Sequence, residues 1–487
     1  MKDFDIIVIG SGIGGLISAS LLSSKGFKVL VIEKQGKPGG YLSSFIRKGF
    51  IFNSVVDCIA GVGPERIISL VLERLGAERF IDFVRVDPIR ASIFPDVEIN
   101  VDSDINVYIN NLKSLFPFEK DGIENLFRKI DEIYSLIEKI NKSLIGGRLG
   151  PFPEYNILYK FVNDSYSGFI EDFITDRRLI SILSDRCPFI GLPPSKTSVL
   201  SMISLVMSYF RMGAYRPVGG YQKLSDTFVD GIINKGGKVI FNKQVEKILL
   251  EGDLCYGVQT ADKEIYTGRF IISNADFMHT FRELIGGKYV SSAEERLRCP
   301  GISSSFFMVY VGIRGRLSNL PGCSSIGYFP SYDMEHLFNP KSAFGNKSSL
   351  GITVPTIEDK TLSPDGHHSL ILHEMVNFGF VEQWNKHKSE LIDRLLQKAE
   401  NLIPDIRKNI VHIEAATPLT LKKYTFNYEG AAYGWKQVPG YIKPFRHNMH
   451  NLFIAGHWGG MGGGVLTSAY SGFKSAVEIC RKEGISI

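Results

Sequence analysis

The sequence predicts an α/β protein that begins with a strand, a glycine turn, a helix and a second strand. Apolar runs at residues 6–9 and 29–32 have the length and composition of buried parallel strands. Between them lie Gly10, Gly12 and Gly15, followed by an apolar segment of helical length. A carboxylate ends the second run. These features together predict the first βαβ unit of a doubly wound, Rossmann-like sheet.

Each part of this unit has a physical role in a dinucleotide site. Gly10 allows the tight turn, Gly12 lets the backbone approach a pyrophosphate, and Gly15 lets the helix pack closely on the strand. The first helical turn offers free N–H groups and a favourable dipole to the phosphates. Glu33 is placed to bind a ribose 2′-hydroxyl, and its charge disfavours a 2′-phosphate. The predicted contacts in this unit are Gly10, Gly12, Ile13, Gly14, Gly15, Glu33 and Lys34.

Composition indicates an ordinary globular protein of more than one domain. The chain has 487 residues, of which 44% are hydrophobic and 22% charged, and its net charge is +5. That length exceeds the usual size of a single core. The small positive charge is not gathered into a basic block, so nucleic acid is not expected as a partner.

Cysteine and histidine patterns predict no metal centre and no disulfide framework. The six cysteines are far apart and form no CxxC, which favours a reducing, cytoplasmic compartment. His368 and His373 would lie on opposite faces of a strand, so joint metal ligation is not expected. The chain enters its first strand at once, so no signal peptide is expected. Residues 199–210 are uncharged and predict a core or lid helix, with contact at a membrane surface as the alternative.

The α/β pattern is interrupted and then resumes, which predicts a discontinuous domain. Helix-spaced apolar residues and loops at 67–212 predict a helical insertion. Short strand patterns between residues 238 and 273, and another at 451–456, return to the first sheet. The predicted division is a nucleotide-binding domain of 1–66, 213–298 and 430–487, a helical insertion of 67–212, and a mixed-sheet substrate domain of 299–429.

Three ordered segments carry a more specific pattern. The first joins the glycine unit to residues 39–45, in which consecutive glycines could form a second anion-binding nest. The second consists of residues 219–220, 245–248 and 273–276, and the third is the glycine-rich turn at 456–464. In this order they resemble the FAD-dependent phytoene desaturase, carotenoid isomerase and retinol saturase family, within the larger amine-oxidase-like flavoproteins.

The resemblance implies a Rossmann-like FAD-binding domain (GR2-type), a discontinuous mixed-sheet substrate domain and a helical insertion. FAD is the implied cofactor. The further cofactor contacts that it implies are Gly39, Gly40, Tyr41, Leu42, Ser43, Val245, Asn274, Ala275, Gly456, His457, Gly463, Gly464 and Val465.

Two segments near the C-terminus supply the catalytic candidates. Many relatives have an acid where this chain has His457, so that histidine could contact the flavin, act as an acid or be a hydrogen-bonded loop residue. Trp458 could stack on the ring system or pack. Residues 430–435 resemble a loop near the substrate in the isomerase and saturase branches, which makes Tyr433 and Trp435 candidates. The flavin itself is expected to carry the chemistry.

The main functional prediction is an FAD-dependent oxidoreductase acting on carbon–carbon bonds of an apolar polyene or isoprenoid-like substrate. Desaturation, saturation and cis–trans isomerisation remain open, and so does the electron acceptor, which could be oxygen, a quinone or a nicotinamide protein. One alternative is an amine or amino-acid oxidase with Tyr433, Trp435 and Arg446 around the substrate. The others are a non-catalytic flavin-binding escort protein and an NAD-binding scaffold.

Overall fold

The structure is a computed structural model of the 487-residue chain. It describes residues 3–286, 301–315, 317, 320–339, 342–440 and 449–487.

The strands and helices alternate irregularly along the chain. In chain order the strands are β1 (Phe4–Ile9), β2 (Val29–Ile32), β3 (Ser44–Arg47), β4 (Phe50–Asn53), β5 (Phe83–Arg85), β6 (Arg90–Ile93), β7 (Glu98–Val101), β8 (Tyr215–Pro217), β9 (Lys238–Ile240), β10 (Val245–Glu251), β11 (Leu254–Thr260), β12 (Ile265–Ser273), β13 (Ser305–Arg314), β14 (Ser325–Tyr328), β15 (Leu350–Thr353), β16 (His367–Val376), β17 (Ile410–Ala416) and β18 (Leu452–Ile454). The α-helices are α1 (Ile13–Ser24), α2 (Ile67–Leu75), α3 (Ile105–Leu115), α4 (Lys120–Ile145), α5 (Glu154–Leu158), α6 (Tyr166–Glu171), α7 (Arg177–Leu183), α8 (Val199–Met212), α9 (Tyr221–Asn234), α10 (Trp384–Ala399), α11 (Ile406–Asn409), α12 (Pro418–Thr425) and α13 (Val465–Lys482).

The first sheet is the predicted nucleotide-binding sheet. Its order is β10-β11-β12-β1-β2-β9, and β18 also pairs with β12. The pairs of β1 with β2 and β12 are parallel, as are β2 with β9 and β12 with β18. Both faces of β1 are covered: Val8 packs in the cluster that contains Leu16 of α1, while Ile7 packs in a second cluster with Phe277. Burial on both faces explains why β1 has a continuous apolar sequence.

The second sheet is mixed and has the order β17-β13-β16-β15-β14-β6-β7. Its pairs are antiparallel except for β14 with β6, which is parallel. Alternation along β13 divides the sheet's two faces. Phe307 packs in one cluster with Leu395 of α10, and Phe306, Met308 and Tyr310 pack in another with the aromatic residues of β4. The fold class predicted from the sequence is therefore confirmed.

The helices between residues 105 and 212 form a separate apolar cluster. In α8, Val199, Met202, Ile203 and Met207 are buried, which supports its interpretation as a core helix. None of the helices in the described ranges is both long and apolar enough to cross a bilayer.

One part of the predicted domain division is wrong. Residues 67–212 were expected to be helical, but β6 and β7 lie in this segment and join the second sheet, with Ile326 of β14 opposite Ala91 of β6. Each strand has only four residues. So short a run carries almost no periodic signal, and pairing with β14 rather than local propensity makes it a strand. The other boundaries stay a prediction.

Candidate functional site

A cavity of about 930 Å³ lies where the two sheets meet. Ile9 of β1 and Ile32 of β2 line it at the carboxyl ends of their strands, and Asn274 and Gly456 follow β12 and β18 at the same edge. Ligands of doubly wound sheets bind at such an edge. From there the cavity extends to β13, β16 and β17 of the second sheet.

The glycine turn after β1 has the backbone geometry that the sequence predicts. Gly10 has a positive φ of +88°, and its amide donates a hydrogen bond to Ile32 O at 2.9 Å. A methyl group at Gly15 would stand 2.2 Å from Gly10 O, so only glycine lets α1 pack this closely. The N-cap of α1 is Gly12, which has no side chain to cap the first turn, and that turn contains no acidic residue. Its N–H groups are therefore available to an anion.

Glu33 connects this turn with the end of β2. The carboxylate is buried, and its Oε2 accepts hydrogen bonds from Ser11 N at 2.8 Å and Ser11 Oγ at 2.7 Å. Its Oε1 accepts from Gln35 N at 2.9 Å. A carboxylate has about four acceptor positions, so capacity remains for a ribose hydroxyl.

A second turn lies beside the first. Gly39 and Gly40 are consecutive left-handed residues, with φ of +117° and +57°. The amide of Gly39 donates to Ser11 O at 2.9 Å, which holds the two turns together. Both glycines line the cavity, as do the next three residues, Tyr41, Leu42 and Ser43.

The C-terminal turn also lines the cavity and lies against the first glycine turn. Gly456 has φ of +81°, and Gly464, the N-cap of α13, has φ of +122°. A methyl group at Gly463 would stand 2.4 Å from Tyr433 O, so the turn lies directly against the loop that carries Tyr433. This contact explains the density of glycine in the segment.

The structure brings together almost all of the residues predicted to bind the cofactor. Those that line the cavity are Gly10, Gly12, Ile13, Gly14, Glu33, Lys34, Gly39, Gly40, Tyr41, Leu42, Ser43, Val245, Asn274, Ala275, Gly456, His457, Gly463, Gly464 and Val465. Gly15 does not line it, because it lies in the packing contact between α1 and Gly10.

His457 and Tyr433, two of the three catalytic candidates, line the same cavity. The His457 Nε2 lies 3.3 Å from Asn427 Oδ1, and its ring centroid lies 6.0 Å from that of Tyr41. Burial lowers the pKa of His457 to about 4. The imidazole is therefore neutral at physiological pH, which makes it a hydrogen-bonding group rather than a cation or a ready acid. Tyr433 Oη donates to Pro188 O at 3.3 Å.

Trp435 lies outside the cavity, which contradicts its expected position near the substrate. Its indole is buried against Phe277 and Trp458, and Nε1 donates to Trp458 O at 3.2 Å. Trp458 is also a packing residue, and its own Nε1 donates to Asn427 Oδ1 at 3.0 Å. The rings of Trp435 and Trp458 both pack in the apolar cluster that includes residues of β1 and β12. Arg446, the anchor considered for an amine substrate, lies outside the described residues.

Sequence reasoning missed the residues at the end of the cavity away from the glycine turns. Asp57, Cys58, Tyr209, Phe306 and His373 line it there. They come from separate elements and share no local motif, so no sequence signal unites them. Burial raises the pKa of Cys58 to about 12, so this thiol is not an activated nucleophile.

Asp57 belongs to an ion network that connects β8 with residues beside the second sheet. Arg216 donates to Asp57 Oδ1 through Nη2 and to Glu358 Oε2 through Nη1, the latter at 2.7 Å. Ser325 Oγ donates to the second oxygen of Asp57. In the described ranges, no three His, Cys, Asp or Glu side chains are grouped to bind a metal.

Known proteins share this sequence pattern. A family model described as an NAD(P)-binding Rossmann-like domain matches residues 8–75, which covers the glycine turn and Glu33. The chain is 28% identical to prolycopene isomerase 1 of an Oncidium hybrid cultivar over 99% of this chain and 85% of the relative. It is 25% identical to the neurosporene-forming phytoene desaturase of Rhodobacter capsulatus, over 96% and 92% of the two chains. Identity with the all-trans-retinol 13,14-reductase of Danio rerio is 23%, over 89% and 78%.

The chain is a homologue of these isomerases, desaturases and reductases. The resemblance carried by the three sequence segments is thereby confirmed. The relatives are oxidoreductases and isomerases, which is the enzyme class predicted for this chain. The Rossmann-like match establishes a nucleotide-binding domain.

Solved structures of the same fold span the full length of the chain. An oxidoreductase from Methanosarcina mazei superposes with a TM-score of 0.64 at 19% identity, over 98% of this chain and 100% of that one. Putrescine oxidase superposes with a TM-score of 0.65 at 14% identity, over 98% and 99%. At these identities the likeness concerns the fold.

Proposed function

We propose that this protein binds FAD in the cavity between its two sheets and acts as an oxidoreductase on carbon–carbon bonds of an apolar polyene. The observation that carries the proposal is the cavity itself. It joins a complete dinucleotide cradle at one end to a chamber at the other that includes Phe189, Leu205, Phe306 and Met308.

The residues of the cradle fit a dinucleotide. Side chains at Gly12 and Gly14 would clash with the protein, because their Cβ atoms would stand 2.7 Å from Asn274 Nδ2 and 2.4 Å from Gly456 N. Glycine at both positions therefore lets the first turn of α1 lie directly against the loops after β12 and β18, at the edge of the sheet where a pyrophosphate would bind. Glu33 would bind the ribose, and its negative charge favours a free 2′-hydroxyl.

When bound, FAD supplies the two-electron redox chemistry that amino-acid side chains lack. The protein's own residues bind and orient the cofactor. The N-terminus of α13, capped by Gly464, points its positive dipole end at the cavity and would stabilise negative charge there. Neutral His457, held by Asn427, lines the cavity without adding a charge to it.

The remaining walls exclude water from the substrate. Phe306 lies edge-on to Tyr433, with ring centroids 6.0 Å apart, and Met308 and Leu205 line the chamber beside them. Surfaces of this kind favour an apolar chain over a small polar substrate. The activities of the relatives, which concern prolycopene, retinol and phytoene, support a polyene. Desaturation, saturation and isomerisation all use such a chamber.

The visible spectrum of the purified protein tests this proposal. We expect a flavin band that is weaker in Glu33→Ala protein prepared in parallel. Under anaerobic conditions, a polyene substrate of a desaturase should bleach the band, and a polyene substrate of a saturase should reoxidise chemically reduced protein. Isomerisation would be detected as a change in the polyene spectrum with reduced protein only. A protein that takes up no flavin on reconstitution, or that forms peroxide with small amines and ignores polyenes, would contradict the proposal.

A further inference from the structure

Arg186 is a buried cation without a hydrogen-bond acceptor. It is 1% exposed, and none of its three guanidinium nitrogens has a partner among the described residues. The guanidinium carbon lies 4.4 Å from the ring centroid of Phe189 and 5.5 Å from that of Tyr209. Both rings line the cavity, so the cation stands directly behind its wall. Burying a charge without acceptors costs free energy, which points to a function for Arg186 beyond packing.

The neighbouring carboxylates are already committed to other groups. Asp185 accepts from Arg90 and from Ser92 Oγ. Asp57 accepts from Arg216 and Ser325, and Glu358 accepts from Arg216 and Ser324. The three guanidinium groups and the three carboxylates of this region are equal in number. The local charge is therefore balanced, although the donors of Arg186 are not satisfied, and a neutral acceptor suits the region better than a further anion.

His373 provides a second polar group at the same end of the cavity. It lines the cavity, and its ring centroid lies 6.4 Å from Phe189 and 5.7 Å from Phe306. The ring lies flat over Gly351, where a methyl group would stand 2.0 Å from Cε1, so glycine is needed there. Burial lowers the pKa of His373 to about 4, and the imidazole makes no hydrogen bond to any residue that the structure describes.

Phe189 packs beside both groups. Its ring centroid lies 4.4 Å from the guanidinium carbon of Arg186 and 6.4 Å from the ring centroid of His373, in a chamber whose other walls are mostly aromatic or aliphatic. A fully hydrocarbon ligand would leave both without an acceptor, whereas an oxygen atom near Phe189 would supply one for His373. The positive charge of Arg186 behind the ring would stabilise the partial negative charge of that oxygen.

We propose that the substrate is a polyene with a neutral oxygen function, a hydroxyl or carbonyl group, at the end that His373 contacts. This inference rests on the proposed function, because it names the class of polyene bound in the same cavity. His373 is then a specificity residue that contacts the substrate, and Arg186 acts on the same oxygen through the aromatic wall.

Binding of three polyenes of equal length tests the inference. The first probe is all-trans-retinol. The second is the hydrocarbon in which a methyl group replaces the terminal CH₂OH group of retinol, and the third is all-trans-retinoic acid. Each is titrated into flavin-loaded protein in the same detergent, and binding is followed by quenching of protein fluorescence. We expect the alcohol to bind about tenfold more tightly than the hydrocarbon, as one added hydrogen bond allows, and the acid to bind no more tightly than the alcohol.

Three variants assign the preference to its residues. His373→Leu should lose most of the preference for the alcohol, with the hydrocarbon affinity within about twofold of the wild type. Arg186→Met should reduce the preference for the alcohol without changing the affinity for the hydrocarbon. If the role of Arg186 were purely structural, its loss would weaken the binding of both probes. His367→Leu is the matched control, because it lies on the same strand but outside the cavity, and it should keep the wild-type preference.

The outcomes separate the two proposals. Equal binding of alcohol and hydrocarbon by the wild type, or an undiminished preference in His373→Leu, overturns the inference and leaves the polyene function standing. Tightest binding of the acid overturns the neutral-oxygen assignment. If flavin-loaded protein binds none of the three probes and converts no longer polyene, both the proposed function and the inference fail.

Discussion

Gly14 and Gly456 bring the two ends of the chain into direct contact at the cofactor cavity. A methyl group at Gly14 would stand 2.4 Å from Gly456 N and 2.6 Å from Gly456 Cα. The first residue belongs to the turn after β1, and the second follows β18 at the far end of the sequence. The cavity is therefore completed only when the C-terminal strand has joined β12 in the first sheet.

Gly14→Ala should disrupt this contact. Its Cβ would meet backbone atoms, which cannot rotate away, and overpacking of this kind typically costs about 1–3 kcal/mol of unfolding free energy. We expect a lower Tm and a lower ratio of bound flavin to protein. Gly379→Ala is the control, because nothing lies within 4 Å of its added methyl group, and it should match the wild type. Normal flavin content in Gly14→Ala would mean that the two turns can separate without loss of the site.

Glu33→Ala should weaken FAD binding. The substitution removes the ribose acceptor and leaves Ser11 N, Ser11 Oγ and Gln35 N without their partner. Hydrogen bonds to a charged group contribute about 1.5–3 kcal/mol, so the dissociation constant should rise about 10- to 100-fold in a titration of apoprotein. Glu390→Ala, on the exposed face of α10, should leave the constant unchanged. Unchanged affinity in the Glu33 variant would refute the ribose role.

The nucleotide end of the site was predictable because its signals are local. The turn after β1 needs glycine for φ, for close approach and for helix packing, and all three demands fall within residues 10–15. The same holds for Gly39 and Gly40, whose left-handed backbones are consecutive. Where one short segment meets several physical constraints, its sequence alone reports them.

The substrate end was not predictable because tertiary packing assembles it. His373 comes from β16, Phe189 from the loop after α7, and Tyr209 from α8. Nothing in the sequence near any of them reports the other two. Trp435 shows the converse error, since the resemblance of residues 430–435 to a substrate loop suggested the cavity. Gly434, between the two aromatic residues, has a left-handed φ of +69° that turns the chain, and the Trp435 ring packs against Phe277.

Arg216→Met should destabilise the fold strongly. The guanidinium is 1% exposed and pairs with both Asp57 and Glu358, so its removal leaves two buried carboxylates without a cation. Breaking a buried pair typically costs about 3–5 kcal/mol. Arg394→Met removes an exposed pair with Glu390 on α10 and should cost about 0–1 kcal/mol. Thermal and urea unfolding of both variants should show this difference, and similar costs would mean that the Arg216 network contributes no more than a surface pair.

Stability should fall as the pH is lowered from about 6.5 to 4. Burial lowers the pKa of both His373 and His457 to about 4, whereas an unfolded chain protonates histidine near pH 6.5. Between these values the unfolded state binds protons that the folded state does not, so the stabilisation is complete above pH 6.5 and is lost on acidification. Each histidine should contribute about 3 kcal/mol to the loss at the lower limit. The unfolding free energy of His373→Leu should accordingly decline less steeply than that of the wild type, and the difference between the two values should change by about 3 kcal/mol between pH 7 and 4. Parallel pH profiles would contradict this prediction, because they would mean that His373 titrates equally in the folded and unfolded states. The packing of its ring between Phe306 and Gly351 does not allow that.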